Sequence, residues 1–167
     1  DVNAALADCL VLTRQHLARS EVQLVQRLEA RCPVLINLQE LQQVLINLIV
    51  NAVQAMPEGG TLTLETADRD PATDAAGVVI VVRDTGRGIA REDMARIFDP
   101  FFTTKKRQGT GLGLSISHTL VERYGGRIGV DSEPGQGSAF IVSLLAEPVY
   151  RRDAAPDNAA SGAPIHP

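Results

Sequence analysis

Gln43, Asn47, Asn51 and Gln54 recur three and four residues apart, a spacing that aligns them as one stripe on a helix. The rest of that segment is apolar. Leu41, Val44, Leu45, Leu48, Ile49, Ala52, Val53 and Met56 form one face, and Ile46 and Val50 extend it round the side. A helix apolar nearly all round is expected to be buried. Buried amides without partners cost about 1–3 kcal/mol each. A single Asn of this kind is best read as satisfying a neighbouring loop, but a stripe of amides weakens that reading. Asn47 and Asn51, one turn apart, could turn their carboxamide oxygens toward a shared polar ligand or metal.

A second cluster is Asp84-Thr-Gly-Arg-Gly-Ile89, directly after the apolar run Val78–Val82. A carboxylate at a strand end, followed by Gly86 and Gly88, stands where the backbone turns tightly and a ligand can come close. It could accept a hydrogen bond from an exocyclic amine such as the N6 of adenine. An Asx turn built on Asp84 explains the same residues structurally. Asp-Thr-Gly is also how aspartic proteases present a catalytic carboxylate, and with one such triplet that reading needs a homodimer. The third cluster is Gly109-Thr110-Gly111-Leu112-Gly113-Leu114, just after Lys105-Lys106-Arg107. Closely spaced glycines at a helix start expose backbone N–H groups at its positive end, which is a phosphate cradle in physical terms. Lys105 and Lys106 are the only lysines in the chain. Their position beside the glycines favours a lid over polyphosphate rather than a merely solvated loop.

These residues need a scaffold, and periodicity supplies one. Residues 2 to 17 read as a helix and Val22 to Leu28 as a short strand. Asn37 and Glu40 make a capping box that opens the amide-bearing helix, which Pro57 and Gly59-Gly60 end. Thr61 to Thr66 alternates as a half-buried strand, and Val78 to Val82 reads as a central strand covered on both faces. Arg91 to Ile97 has the look of a short helix, Phe98 to Gly111 of a long loop, and Leu112 to Tyr124 of a third long helix. Arg127 to Asp131 and Ser138 to Leu145 form a hairpin across Glu133–Gly137. The fold expected is α+β: a two-layer sandwich with a mixed sheet of about five strands covered on one face by three helices. Residues 1–146 form the domain. Residues 147–167 are expected to be a disordered tail, since four of the nine prolines lie in the last twenty residues.

Composition narrows the function classes. The chain has 167 residues, one domain's worth, and a net charge of −4. That charge disfavours generic binding to nucleic acid or anionic membranes. No apolar run reaches the roughly 18–20 residues of a membrane span. Cys9 and Cys32 lack the spacing of a metal site or disulfide framework, and both read as inert core thiols of a cytoplasmic protein. A GxGxxG after the first strand and a GxxxxGK[ST] loop are both absent, which rules out the common dinucleotide and P-loop signatures.

In this order and spacing the motifs resemble the ATP-binding catalytic domain of sensor histidine kinases, within the wider family of gyrase, Hsp90 chaperones and MutL. Asn47 and Asn51 match its N box, Asp84–Gly88 its G1 box, Phe98-Asp-Pro-Phe-Phe-Thr-Thr-Lys105 its F box and Gly109–Gly113 its G2 box. The likeness spans about residues 1 to 146, and Asn51–Gly60 is similar to the nitrogen-sensor type. It implies a Bergerat fold that binds ATP and Mg²⁺ under a flexible lid. Asn51 would hold the metal with Asn47 and Gln54 in support, and Asp84 would read the adenine amine, with Gly86, Gly88 and Ile89 around the base. Gly109, Thr110, Gly111, Leu112, Gly113 and Leu114 would face the phosphates. Lys105, Lys106 and Thr104 would neutralise the γ-phosphate, and Phe98, Phe101 and Phe102 would pack the lid.

The resemblance further implies a γ-phosphoryl acceptor His on a dimerisation hairpin, a downstream response regulator, and an intact kinase that is homodimeric and membrane-tethered or cytoplasmic. Asn47 stands where gyrase, Hsp90 and MutL relatives carry a water-activating Glu, which favours a kinase over a fast ATPase. Gln54 stands where many histidine kinases place a basic residue. None of His16, His118 and His166 is followed by Glu or Asp. The chain therefore reads as a monomeric fragment that does not phosphorylate itself. A non-catalytic nucleotide-binding regulatory module of the same fold remains an alternative.

Overall fold

The computed structural model describes residues 1–69, 76–103 and 110–146; Thr104, Lys105, Lys106, Gly109 and the segment 147–167 lie outside them. The described residues form three helices and five strands. These are α1 (Val2–Arg19), β1 (Val22–Leu28), α2 (Leu38–Ala55), β2 (Gly60–Arg69), β3 (Gly77–Asp84), α3 (Gly113–Arg123), β4 (Arg127–Glu133) and β5 (Gly137–Leu145). The strands form one sheet in the order β1-β2-β3-β5-β4. β1 and β2 are parallel, with α2 as their crossover, and the remaining pairs are antiparallel.

Alternation in β2 sends Leu62, Leu64 and Thr66 inward, where they meet Val78, Ile80 and Val82 of β3 and Phe140, Val142 and Leu144 of β5. Against them lie Leu41, Val44, Leu45, Leu48, Ile49, Ala52 and Met56 of α2, and Val2, Ala5, Leu6 and Cys9 of α1. Each large side chain sealed there contributes about 1.5–3 kcal/mol through removal from water. The core is aliphatic, and Phe140 is its only buried aromatic among the described residues.

Three expectations change. β3 is central, but Val79 and Val81 are only half-buried. A continuous aliphatic run therefore marks a strand whose outward face is half open, since aliphatic side chains are tolerated there. Arg91–Ile97 is not an α-helix. It is a chain of tight turns, with the N–H groups of Asp93, Arg96 and Asp99 donating to the carbonyls of Ala90, Asp93 and Arg96. So short a segment cannot repay helix nucleation, and Ile97 alone anchors it in the core. Cys32, unlike buried Cys9, sits at the rim of the core.

The capping box at α2 is also shared rather than self-contained. Asn37 Oδ1 accepts from the N–H groups of Gln39 and Glu40 at 2.9 and 3.2 Å. Glu40 turns away to α3, accepting from Arg123 Nη1 at 2.7 Å and from the Tyr124 hydroxyl at 2.6 Å. That hydroxyl in turn accepts the Asn37 N–H at 3.3 Å. The start of α2 and the end of α3 are thus tied together.

Candidate functional site

A cavity of about 600 Å³ lies between α2, the turn after β3 and the start of α3. Small-molecule sites usually measure roughly 300–1,000 Å³. The amide stripe contributes Asn47, Asn51 and Gln54, the turn Asp84, Gly88 and Ile89, and the chain entering α3 Thr110, Gly111, Gly113 and Leu114. The stripe is less buried than expected. Gln43 is exposed and the other three amides are half-buried, because the cavity opens along them.

Asn47 makes most of its contacts within the protein. Its Nδ2 donates to the Gly113 carbonyl at 3.1 Å and to Ser117 Oγ at 3.2 Å, while its Oδ1 accepts from Gln43 at 3.0 Å. It is a strut between α2 and α3 as well as a cavity wall. Asn51, one turn on, also borders the cavity.

Asp84 ends β3 with 3% of its surface exposed, between Leu62 and Ser138. Its Oδ1 accepts the Gly86 N–H at 2.8 Å, so an Asx turn and a cavity-lining carboxylate coexist in one residue. The glycines of this turn are required by the protein itself. A Cβ on Gly86 would stand 2.5 Å from the Ala55 carbonyl oxygen, and one on Gly88 (φ +68°) 2.0 Å from that of Glu133. Both point into neighbouring backbone.

The loop ahead of α3 is pinned at its roots. Phe101, with φ +66° and its ring exposed, donates its N–H to the Gly111 carbonyl at 3.0 Å. Gly111 has φ +67°, and a Cβ there would lie 2.5 Å from Phe101 backbone. Among the described residues no side chain caps α3 at Leu112, which suits the first-turn amides to an anion. Gly86, Phe98 and Leu112 do not line the cavity. Phe98 stacks on His118 at 5.0 Å between ring centroids, and Leu112 donates its N–H to Thr110 Oγ1 at 3.4 Å.

Phe102, expected to pack the lid, lines the cavity, and so do residues to which sequence reasoning assigns no role: Arg87, Asp93, Thr103, Ser138 and Phe140. Arg87 lay inside the glycine-rich run and could have been taken with it. Ser138 and Phe140 reach the site only through the pairing of β5 with β3, which no local spacing reveals. Arg96 lies over the Phe102 ring at 4.6 Å and holds that wall.

The family described as histidine kinase-, DNA gyrase B-, and HSP90-like ATPase matches residues 36–148. The chain belongs to this family. Sensor kinase CckA of Brucella abortus is 40% identical over 156 residues, covering 86% of this chain and 16% of that protein. Sensor histidine kinase ZraS of Escherichia coli K12 is 39% identical over 154 residues, covering 92% of this chain and 32% of that protein. The chain therefore spans a third or less of the length of these relatives. Among solved structures, the catalytic domain of histidine kinase ThkA, nucleotide-free, superposes with a TM-score of 0.76 at 30% identity, covering 87% of this chain and 93% of that one. Full-length ShkA in complex with AMPPNP gives 0.75 at 30% identity, covering 86% of this chain and 30% of that one. Within its family the chain is thus an ATP-binding domain of the histidine kinase kind, and the aspartic-protease alternative for Asp84 is overturned.

Proposed function

We propose that the chain binds ATP with Mg²⁺ and directs the γ-phosphoryl group to a histidine on a dimerisation hairpin. The observation that carries this reading is convergence: Asn51, Asp84 and Gly111 border one cavity although 60 residues of sequence separate the first from the last. Asp84 accepts from the adenine amine. The amides of Gly111, Gly113 and Leu114, at the start of α3, donate to the phosphates. By their place in the motif, Lys105, Lys106, Thr104 and Gly109 are proposed to serve the phosphates.

The donor set suits Mg²⁺. Asn51 would hold the ion through its carboxamide oxygen, a hard ligand of the kind this ion prefers. When bound, the ion draws charge from the phosphate oxygens. Asn47 has no basic atom to deprotonate water, which favours transfer to histidine over hydrolysis. In-line phosphoryl transfer asks mainly for positioning and charge stabilisation, and these groups supply both.

The setting is proposed on the same basis: a homodimeric kinase passing phosphate to a response regulator, with this domain in the cytoplasm. No helix among the described residues is long and apolar enough to cross a membrane. The nitrogen-sensor subtype suggested by Asn51–Gly60 is proposed only as a finer assignment.

Calorimetric titration with ATP and Mg²⁺, followed by addition of an acceptor hairpin from the same kinase, tests the reading. Saturable binding and phosphohistidine formation are expected. Absence of binding contradicts the reading, and binding without phosphohistidine favours the regulatory module instead.

A further inference from the structure

Ser132, on β4, does not line the cavity, yet its hydroxyl joins three segments that shape the cavity's inner end. Its Oγ accepts the Ile89 N–H at 2.9 Å, donates to the Gly137 carbonyl at 2.9 Å, and lies 3.0 Å from Ser138 Oγ. Ile89 and Ser138 both border the cavity, and Ser138 pairs with Asp84 across β3 and β5. Gly137 is locked in place, since a Cβ there would stand 2.0 Å from the Asp84 carbonyl oxygen.

A hydroxyl has one proton and two acceptor positions. With the Ser132 proton on Gly137, its acceptor positions take the Ile89 N–H and the remaining neighbour, the Ser138 hydroxyl. Ser138 must then be the donor in that contact. Its proton points away from the cavity, and only its lone pairs remain to face a ligand. Beside the Asp84 carboxylate, Ser138 thus adds acceptor lone pairs to this end of the cavity.

We infer that Ser132 is a specificity-determining positioning residue: by binding the Ser138 proton it makes the base end of the site accept from an amino-purine and reject a 6-oxo-purine. This rests on the nucleotide reading of the cavity. A 6-oxygen would meet the lone pairs of both Asp84 and Ser138. A 6-amino group, or a water held by it, can donate to them. Without the Ser132 hydroxyl, the Ser138 proton is released to turn inward, where it can donate to a 6-oxygen, and the Ile89 N–H loses its acceptor.

The test compares the affinities of the full chain for ATP and inosine triphosphate, with Mg²⁺, by calorimetry. The unaltered chain prefers ATP. In Ser132→Ala that preference falls by about ten-fold, the size of one good hydrogen-bond contact. Ser132→Thr, which keeps the hydroxyl, retains it. A purely structural role would lower the melting temperature of Ser132→Ala but leave the ATP-to-inosine-triphosphate ratio unchanged. Should Ser132→Ala fail to fold, Ser132→Cys keeps the bulk with a poor acceptor and is expected to lose the same discrimination. A ratio within about two-fold of the unaltered chain in a folded variant that still binds ATP overturns this inference alone. Failure of the unaltered chain to bind ATP overturns the nucleotide reading and this inference with it.

Discussion

Asp84 performs two tasks with one carboxylate, and a conservative substitution separates them. In Asp84→Asn the amide oxygen still accepts the Gly86 N–H, so the turn survives, but the remaining position becomes an NH₂ donor aimed where an amine donor must be received. ATP affinity is expected to fall by at least about ten-fold, with the melting temperature within a few degrees of the unaltered chain. Calorimetry with parallel thermal melts checks both halves; unchanged affinity removes Asp84 from the base pocket. Asn47 behaves differently because its amide ties α2 to α3. Asn47→Ala is expected to lower stability by about 1–2 kcal/mol in a urea titration, since it loses the two hydrogen bonds to α3 and the one from Gln43. At this scale the sequence was most informative where residue type and helical period coincide, as for Asn47, Asn51 and Gln54. It could not show that Gly86 is small because Ala55 crowds it, nor that Ser138 lines the cavity with the Ser132 hydroxyl against it. Those facts depend on backbone approaches and strand register set far away in the chain.

Two elements carry the geometry of the cavity: α2, and the pinned entry to α3. Their glycines are not equivalent. Gly111 has φ +67° and touches Phe101 backbone, whereas a Cβ on Gly113 would make ordinary contact with Asn47 at 3.6 Å. Gly111→Ala is expected to destabilise by about 1–3 kcal/mol through backbone strain and overlap. Gly113→Ala should stay within about 0.5 kcal/mol. Chemical denaturation of both variants distinguishes these outcomes, and equal losses contradict the account of the loop roots. Helix and strand boundaries were legible because caps and alternation are local signals: Asn37, the Leu62–Leu64–Thr66 alternation and the Glu133–Gly137 turn all fall where expected. The segment 91–97 misled because apolar spacing in a short stretch fits turns as well as a helix. β3 misled because an aliphatic run does not say how many faces are covered.

Across the whole molecule, a polar knot joins α1, β2 and the chain leaving β1. Thr66 Oγ1 donates to Asn3 Oδ1 at 2.7 Å and accepts the Ala30 N–H at 3.2 Å. Asp68 Oδ1 accepts the N–H groups of Cys32 and Arg31 at 2.7 and 2.8 Å. These bonds, that from Cys32 foremost, hold the Asp68 carboxyl below its ordinary value of 3.8. A lowered carboxyl stabilises the fold above the unfolded-state value, and that contribution is lost as pH falls through the folded one. The melting temperature is expected to drop on acidification below about pH 4, and more shallowly in Asp68→Asn; identical acid limbs contradict this. Burial, with Asp8 nearby, pushes the Cys9 thiol up to about 11, so a thiol reagent at neutral pH should modify Cys32 well before Cys9. The layered architecture was readable in advance because each layer follows from local periodicity, while the cavity exists only once the sheet order brings three distant segments together. Nuclear magnetic resonance of the ¹⁵N-labelled chain, titrated with ATP and Mg²⁺, tests that convergence most directly. The side-chain amide of Asn51 and the backbone amides of residues 84–89 and 110–114 are expected to shift along one shared binding curve. Shifts confined to one of these segments, or following separate curves, would contradict a single nucleotide site.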